Sequence, residues 1–264
     1  MSIFVDVQTL NKKINHHPYK IIDVRQSASL YEESHIPHAI YLDPIKYISG
    51  QKSFFVDPPI LGEKLSAVGI NEKTEIVIYD DGTNRNAAKA WVALYYIGHT
   101  KMKILQGGFS AWKNGGKPIS REVPAYKQVN YHISPRNHIV KTIEDIRHHT
   151  KDPNKILIDS RAEERYAGRI EPKYEKAGHI PGAKNYVAKE VFNEQGEWKE
   201  SGALQEHFST LNKTDDITVS CGTGGSACLN MIALIEAGYS NVAIYPGGFK
   251  EWIDANEQVE TEKK

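Results

Sequence analysis

The chain has 264 residues, 40% hydrophobic and 25% charged, with basic and acidic side chains balanced to a formal net charge of zero. That length exceeds one typical domain and points to two, and the even charge offers no basic excess for nucleic acid. No run approaches the roughly 18 apolar residues of a membrane span, and "MSIFVDVQTLNKKI" at the N-terminus has no small-residue cleavage site, so a cytoplasmic protein away from membranes is expected.

The first run of strand length is "KIIDVR" at 20–25. "HIPHAIYL" follows at 35–42, then the β-branched "EIVIY" at 75–79, a helical stretch behind "DDGTNRNAA", and "MKILQGG" at 102–108, a strand closed by a glycine pair. After the polar, proline-containing "SREVPAYKQVNYHISPR" the series returns as "KILIDSR" at 155–161, "HIPGAKNY" at 179–186, "DITVS" at 216–220 and "NVAIYPGG" at 241–248. Matched blocks in the same order and spacing mark a domain-sized tandem duplication, with residues 1–120 and 138–264 as the copies and 121–137 as the linker. Short buried strands alternating with helices predict two α/β domains, each a mainly parallel sheet flanked by helices. In such sheets ligands sit beyond the carboxyl ends of the strands.

One such end carries a thiol. Cys221 follows "DITVS", and Gly222, Thr223, Gly224, Gly225 and Ser226 form the turn into a helix that is apolar on nearly every face. Glycines let successive backbone N–H groups turn toward one point, and the helix adds its unpaired N–H groups and the positive end of its dipole. Such a cradle is expected to stabilise a thiolate at Cys221, below the ordinary thiol value of about 8.5, and to bind a small anion beside it. Cys228, one turn into the apolar helix, reads as a core residue. The chain has only these two cysteines, without the spacing of a disulfide framework or a zinc site.

The motifs "LIDSRAEERYAG", "EPKYEKAGHIPGAKN", "CGTGGSA" and "YPGGFKEW", with weaker echoes in the first half, resemble the two-domain rhodaneses, the family of thiosulfate and 3-mercaptopyruvate sulfurtransferases. The resemblance implies two tandem rhodanese-like domains, the first inactive and the second catalytic, with no metal or organic cofactor. It implies that Cys221 attacks the outer sulfur of a small anionic donor and holds it as a persulfide. Cyanide, a small thiol or a reduced thioredoxin-like protein then takes the sulfur. Arg165 matches the family arginine that holds the donor's carboxylate or sulfonate. Lys173 stands where a second arginine is expected and keeps the charge without the bidentate fork.

The donor stays open between thiosulfate and 3-mercaptopyruvate. Thiosulfate-using relatives often carry basic side chains directly after the cysteine, whereas Gly222 and Thr223 are closer to the mercaptopyruvate pattern, in which Thr223 would assist proton movement. The accompanying family histidine has no match, and Asp57 sits near its expected position. In the first half Asp80 aligns with Cys221, and a carboxylate cannot accept sulfane sulfur, so that half is expected to be silent. Asp159, Arg161 and His179 recur as Asp23, Arg25 and His35 in the silent half and read as scaffold, as do Trp112 and Trp252. The tail "DANEQVETEKK" is expected to fray.

Gly222, Gly224 and Ala227 also spell G-x-G-x-x-A, but the following strand ends in Tyr245 and Pro246 rather than the acidic residue a dinucleotide site needs. Ala227 stands where a cysteine phosphatase would need arginine. A stronger rival is a persulfide carrier or binding module whose Cys221 is loaded by a protein partner.

Overall fold

A computed structural model of the protein describes residues 2–14, 19–50, 55–152 and 154–262. The chain divides into two compact units, Met1–Arg136 with Gly196–Trp198, and Asn137–Gln195 with Lys199–Lys264.

The first unit is built on β1 (Phe4–Val5), β2 (Lys20–Asp23), β3 (Ala39–Tyr41), β4 (Ile76–Tyr79) and β5 (Met102–Leu105), in the order β1-β5-β4-β2-β3. Every pair is parallel. A parallel strand covered on both faces favours an unbroken apolar run, and β4 is buried along its whole length. The helix Arg85–Tyr96 follows β4, entered through Asn84 in the left-handed region (φ 63°). Asp57, near the expected histidine position, is exposed ahead of the helix Pro58–Ala67 and makes no capping bond.

The 121–137 segment, expected as a linker, is laid along this unit. Val129 donates to the Ser66 carbonyl at 3.1 Å, Ser134 to Ile97 at 3.0 Å and Arg136 to Tyr96 at 2.8 Å. Trp198 belongs to the same unit. Its ring stacks on Phe4 with centroids 4.7 Å apart, and its Nε1 donates to Asn84 Oδ1 at 3.2 Å.

The second unit repeats the plan with β6 (Lys155–Asp159), β7 (Lys184–Asn185), β8 (Asp216–Ser220) and β9 (Val242–Ile244), again all parallel, in the order β7-β6-β8-β9. The helix Gly225–Glu236 follows the central β8 and is buried from Ala227 through Leu234. Such an all-round apolar helix is stable only inside a core, and Cys228 lies in it, fully buried as expected.

The expectation of a frayed tail is corrected. Glu260 and His179 exchange backbone hydrogen bonds at 2.8 and 2.9 Å, Glu262 donates to the Ala167 carbonyl at 3.2 Å, and Val259 packs on the core. The charged side chains face outward while the backbone pairs, so composition alone misread the segment. Lys263 and Lys264 lie outside the described residues. No helix among the described residues is long and apolar enough to cross a membrane.

Candidate active site

The two copies frame their central strand ends alike. Asp159 accepts the Arg161 backbone N–H at 2.9 Å and its guanidinium at 2.6–3.0 Å, and Arg161 Nη2 continues to the Gly178 carbonyl at 2.6 Å. Asp23, Arg25 and the Ser34 carbonyl repeat this in the first unit. His179 stacks on Tyr166 at 3.8 Å with Nδ1 2.8 Å from the Tyr166 carbonyl, and His35 does the same on Tyr31 at 3.9 and 2.8 Å. Trp112 and Trp252 each donate Nε1 to a carbonyl six residues on, at 2.7 Å. Each of these groups is engaged within its own unit, as a scaffold requires.

The loops after β4 and β8 differ in what they hold. In the first unit the Asp80 carboxylate accepts the backbone N–H groups of Gly82, Asn84, Asn86 and Ala87 at 2.9–3.2 Å and is only 1% exposed. Burial pushes this carboxyl up, and those amides pull it back without cancelling the shift. The cradle is filled by the chain's own anion.

In the second unit Cys221 takes the same strand-end position. The Phe249 N–H donates to the Cys221 carbonyl at 2.7 Å, as Phe109 donates to Asp80 at 2.8 Å, and Lys250 donates to Gly222 at 3.1 Å. Gly248 makes this approach possible. Its φ is 64°, and a Cβ there would stand 2.5 Å from the Cys221 oxygen and 2.7 Å from that of Gly222. Gly224, at φ 82°, turns the chain into the helix, while nothing in the structure accounts for glycine at Gly225, where a Cβ would meet open space.

The thiol itself departs from expectation. Cys221 is 4% exposed, and burial pushes its thiol up from the ordinary value, with hydrogen bonds from the backbone amides of Ala227, Thr223 and Ser226 opposing the shift and Asp159 adding to it. The helix end and its amides are present, but desolvation outweighs them, so the expected ready thiolate gives way to a neutral buried thiol.

Around the loop, Thr223 is exposed and Ser226 half-buried. Arg165 is not a bare cation. Its Nε and Nη2 bond the two oxygens of Glu171 at 3.2 and 2.6 Å, and Glu171 also faces Arg161 Nη1 at 3.4 Å. Lys173 is exposed, with its backbone N–H on Glu171 Oε1 at 3.0 Å.

Sequence reasoning passed over Glu171 and Tyr174. The Tyr174 hydroxyl lies 2.7 Å from where a Cβ on Gly222 would stand. The Arg165 guanidinium carbon lies 5.3 Å from the Tyr174 ring centroid, and the ring meets Phe249 at 6.1 Å. The nearest signal was the position of Tyr174 beside Lys173 in "EPKYEK".

The rhodanese-like domain family matches residues 6–115 and 142–255. A probable 3-mercaptopyruvate sulfurtransferase of Pseudomonas aeruginosa is 30% identical over 247 residues, covering 89% of this chain and 87% of that protein. A sulfur carrier protein of Thermus thermophilus is 27% identical over 271 residues, covering 95% and 93%. The crystal structure of SseA from Escherichia coli, described with the rhodanese fold and catalytic mechanism of 3-mercaptopyruvate sulfotransferases, superposes with a TM-score of 0.82 at 25% identity, over 94% of this chain and 99% of that one. Two parallel α/β units, a cysteine at one central strand end and a family match in both halves lead to one conclusion: the chain belongs to the two-domain rhodanese sulfurtransferases.

Proposed function

We propose that Cys221 is the sulfur-accepting nucleophile and that residues 138–264 form the catalytic domain, with residues 1–120 a silent copy and 121–137 the connection. The observation that carries this reading is the Cys221 thiol at the carboxyl end of β8, bonded by the backbone amides of Thr223, Ser226 and Ala227. The thiol gives up its proton as it attacks. Its sulfur bonds the outer sulfur of the donor, the bond from that sulfur to the rest of the donor breaks, and the electron pair leaves with the remainder. The loop amides then hold the negative persulfide in a low-dielectric site, where fixed dipoles act most strongly.

The donor is a small anion. Similarity to a probable 3-mercaptopyruvate sulfurtransferase favours 3-mercaptopyruvate over thiosulfate. In this reading Thr223, exposed at the loop, assists proton movement, and Gly222, Gly224, Gly225 and Ser226 shape the anion site. Arg165 serves the donor only through the guanidinium face that Glu171 leaves open, so its net charge counts for less than the sequence suggested, and Lys173 acts as an outer attracting charge. A low-molecular-weight thiol or thioredoxin-like acceptor in the reducing cytoplasm suits the two thiols, which form no disulfide.

Thiocyanate formation from cyanide, with thiosulfate and 3-mercaptopyruvate offered separately to the wild type and to Cys221→Ser, tests this. Turnover with either donor that is lost in the serine variant is the expected result. The similarity to a sulfur carrier protein supports a second reading, in which a partner protein loads Cys221. Persulfide labelling at Cys221 without turnover of either small donor would favour it.

A further inference from the structure

Resting on the Cys221 reading, the geometry points to Tyr174 as a donor-binding residue whose hydroxyl hydrogen-bonds the anion expelled when the Cys221 persulfide forms. Three observations converge on that hydroxyl. It fills the space over Gly222, 2.7 Å from the position of an absent Cβ, so a phenol stands next to the residue after the nucleophile in place of any side chain from the loop itself. The Arg165 guanidinium stands beside the same phenol, its carbon 5.3 Å from the ring centroid, and a phenol next to a cation is polarised toward donating its own proton. Glu171 meanwhile binds both Arg165 Nε and Nη2, so much of the cation's charge is already met before any donor arrives. A neutral donor beside the loop therefore complements the partly neutralised guanidinium.

The atoms balance for either substrate. Cys221 Sγ loses its own proton to solvent and forms an S–S bond to the donor's outer sulfur, so that the persulfide is left as the anion. With thiosulfate the existing S–S bond breaks and its electron pair leaves as sulfite. With 3-mercaptopyruvate the C–S bond breaks, the pair leaves as the enolate of pyruvate, and the enolate takes the proton that the donor sulfur carried. In both cases negative charge grows on oxygen of the departing fragment, on the oxygens of sulfite or the enolate oxygen of pyruvate, and this is the group that the Tyr174 O–H meets. After departure the phenol has no part in passing sulfur from the persulfide to an acceptor. The two half-reactions are thereby separable.

The experiment measures both halves in single turnover on the full chain, with persulfide at Cys221 followed by mass spectrometry. Tyr174→Phe keeps the ring against Phe249 and removes only the hydroxyl. A hydrogen bond to a charged group corresponds to about tenfold to a hundredfold, so persulfide formation is expected to slow by that factor while discharge to cyanide stays within about twofold. Gly222→Ala drives a methyl into the hydroxyl's place and should slow formation as well, and combining it with Tyr174→Phe should add little, because both act at one point. Unchanged formation with both donors in Tyr174→Phe overturns the proposal, as does an equal slowing of both halves, which marks a general distortion of the loop. Wild-type protein that forms no persulfide at Cys221 with either donor overturns the small-donor reading of Cys221 and this proposal with it. Normal wild-type loading with an unaffected phenylalanine variant removes Tyr174 alone.

Discussion

Replacing Arg161 by methionine tests how far this site depends on a buried cation. The guanidinium bonds Asp159 at 2.6–3.0 Å and the Gly178 carbonyl at 2.6 Å, and stands 4.0 Å over the Phe249 ring. Asp159 and Glu171 have side chains only 5% and 3% exposed. Without Arg161, Glu171 keeps Arg165 at 2.6 Å, whereas Asp159 keeps only the backbone N–H of residue 161 at 2.9 Å. The loss is therefore one orphaned buried carboxylate rather than two. Breaking a buried pair from one side costs about 3–5 kcal/mol, which for a unit of this size lowers the melting temperature by about 10–20 °C. Calorimetry or urea unfolding reads it directly. Adding Asp159→Leu to Arg161→Met removes the stranded charge and should recover most of the loss, since an apolar pair can replace an ion pair at little net cost. A single variant that loses less than about 1 kcal/mol, or a double variant no better than the single, would refute the reasoning.

The pH dependence of Cys221 alkylation follows from its burial. Because the folded protein favours the neutral thiol, the iodoacetamide rate mapped to the Cys221 peptide should rise with a midpoint above the ordinary thiol value, and a midpoint at or below 7 would contradict the desolvated site. The linked stability term runs the same way, present below the unfolded thiol's value and lost as pH climbs through the raised folded one. Ending the chain at Gln258 removes the paired backbone of Glu260, the Glu262 hydrogen bond and Val259 from the core, and should lower stability by about 2–4 kcal/mol in urea unfolding; a frayed tail would leave it unchanged.

Local patterns carried most of the architecture. "KIIDVR" and "DITVS" read correctly because a parallel strand covered on both faces favours an uninterrupted apolar run, and the buried helix behind Cys221 announced itself by lacking a polar face. The duplication helped further, since a pattern seen in both halves is hard to mistake. What escaped were quantities fixed by closure of the fold. The amides and helix end near Cys221 were legible, but the depth of the thiol was not, and depth decides the sign of its shift. Arg165 was legible as a cation, whereas its capture by Glu171 depends on how the turn between them folds. Tyr174 looked like one more tyrosine until Gly222 was found beneath its hydroxyl.

The loop of the first unit clarifies that of the second. Asp80 shows what the loop after the central strand is suited to hold, a buried negative charge met by several backbone amides. Cys221 stands at the same point with amides of Thr223, Ser226 and Ala227 on its sulfur, yet its thiol is pushed toward the neutral form. The two facts agree if the loop serves the product of sulfur transfer rather than the resting thiol. A persulfide is more acidic than a thiol, and its charge sits on the outer sulfur, one bond beyond the buried Cys221 sulfur. On this reading the resting enzyme keeps its nucleophile protonated and protected, and the anion the cradle favours exists only after a donor has delivered sulfur. In the first copy the same amides are already taken by the Asp80 carboxyl, which leaves no thiol there to carry sulfur.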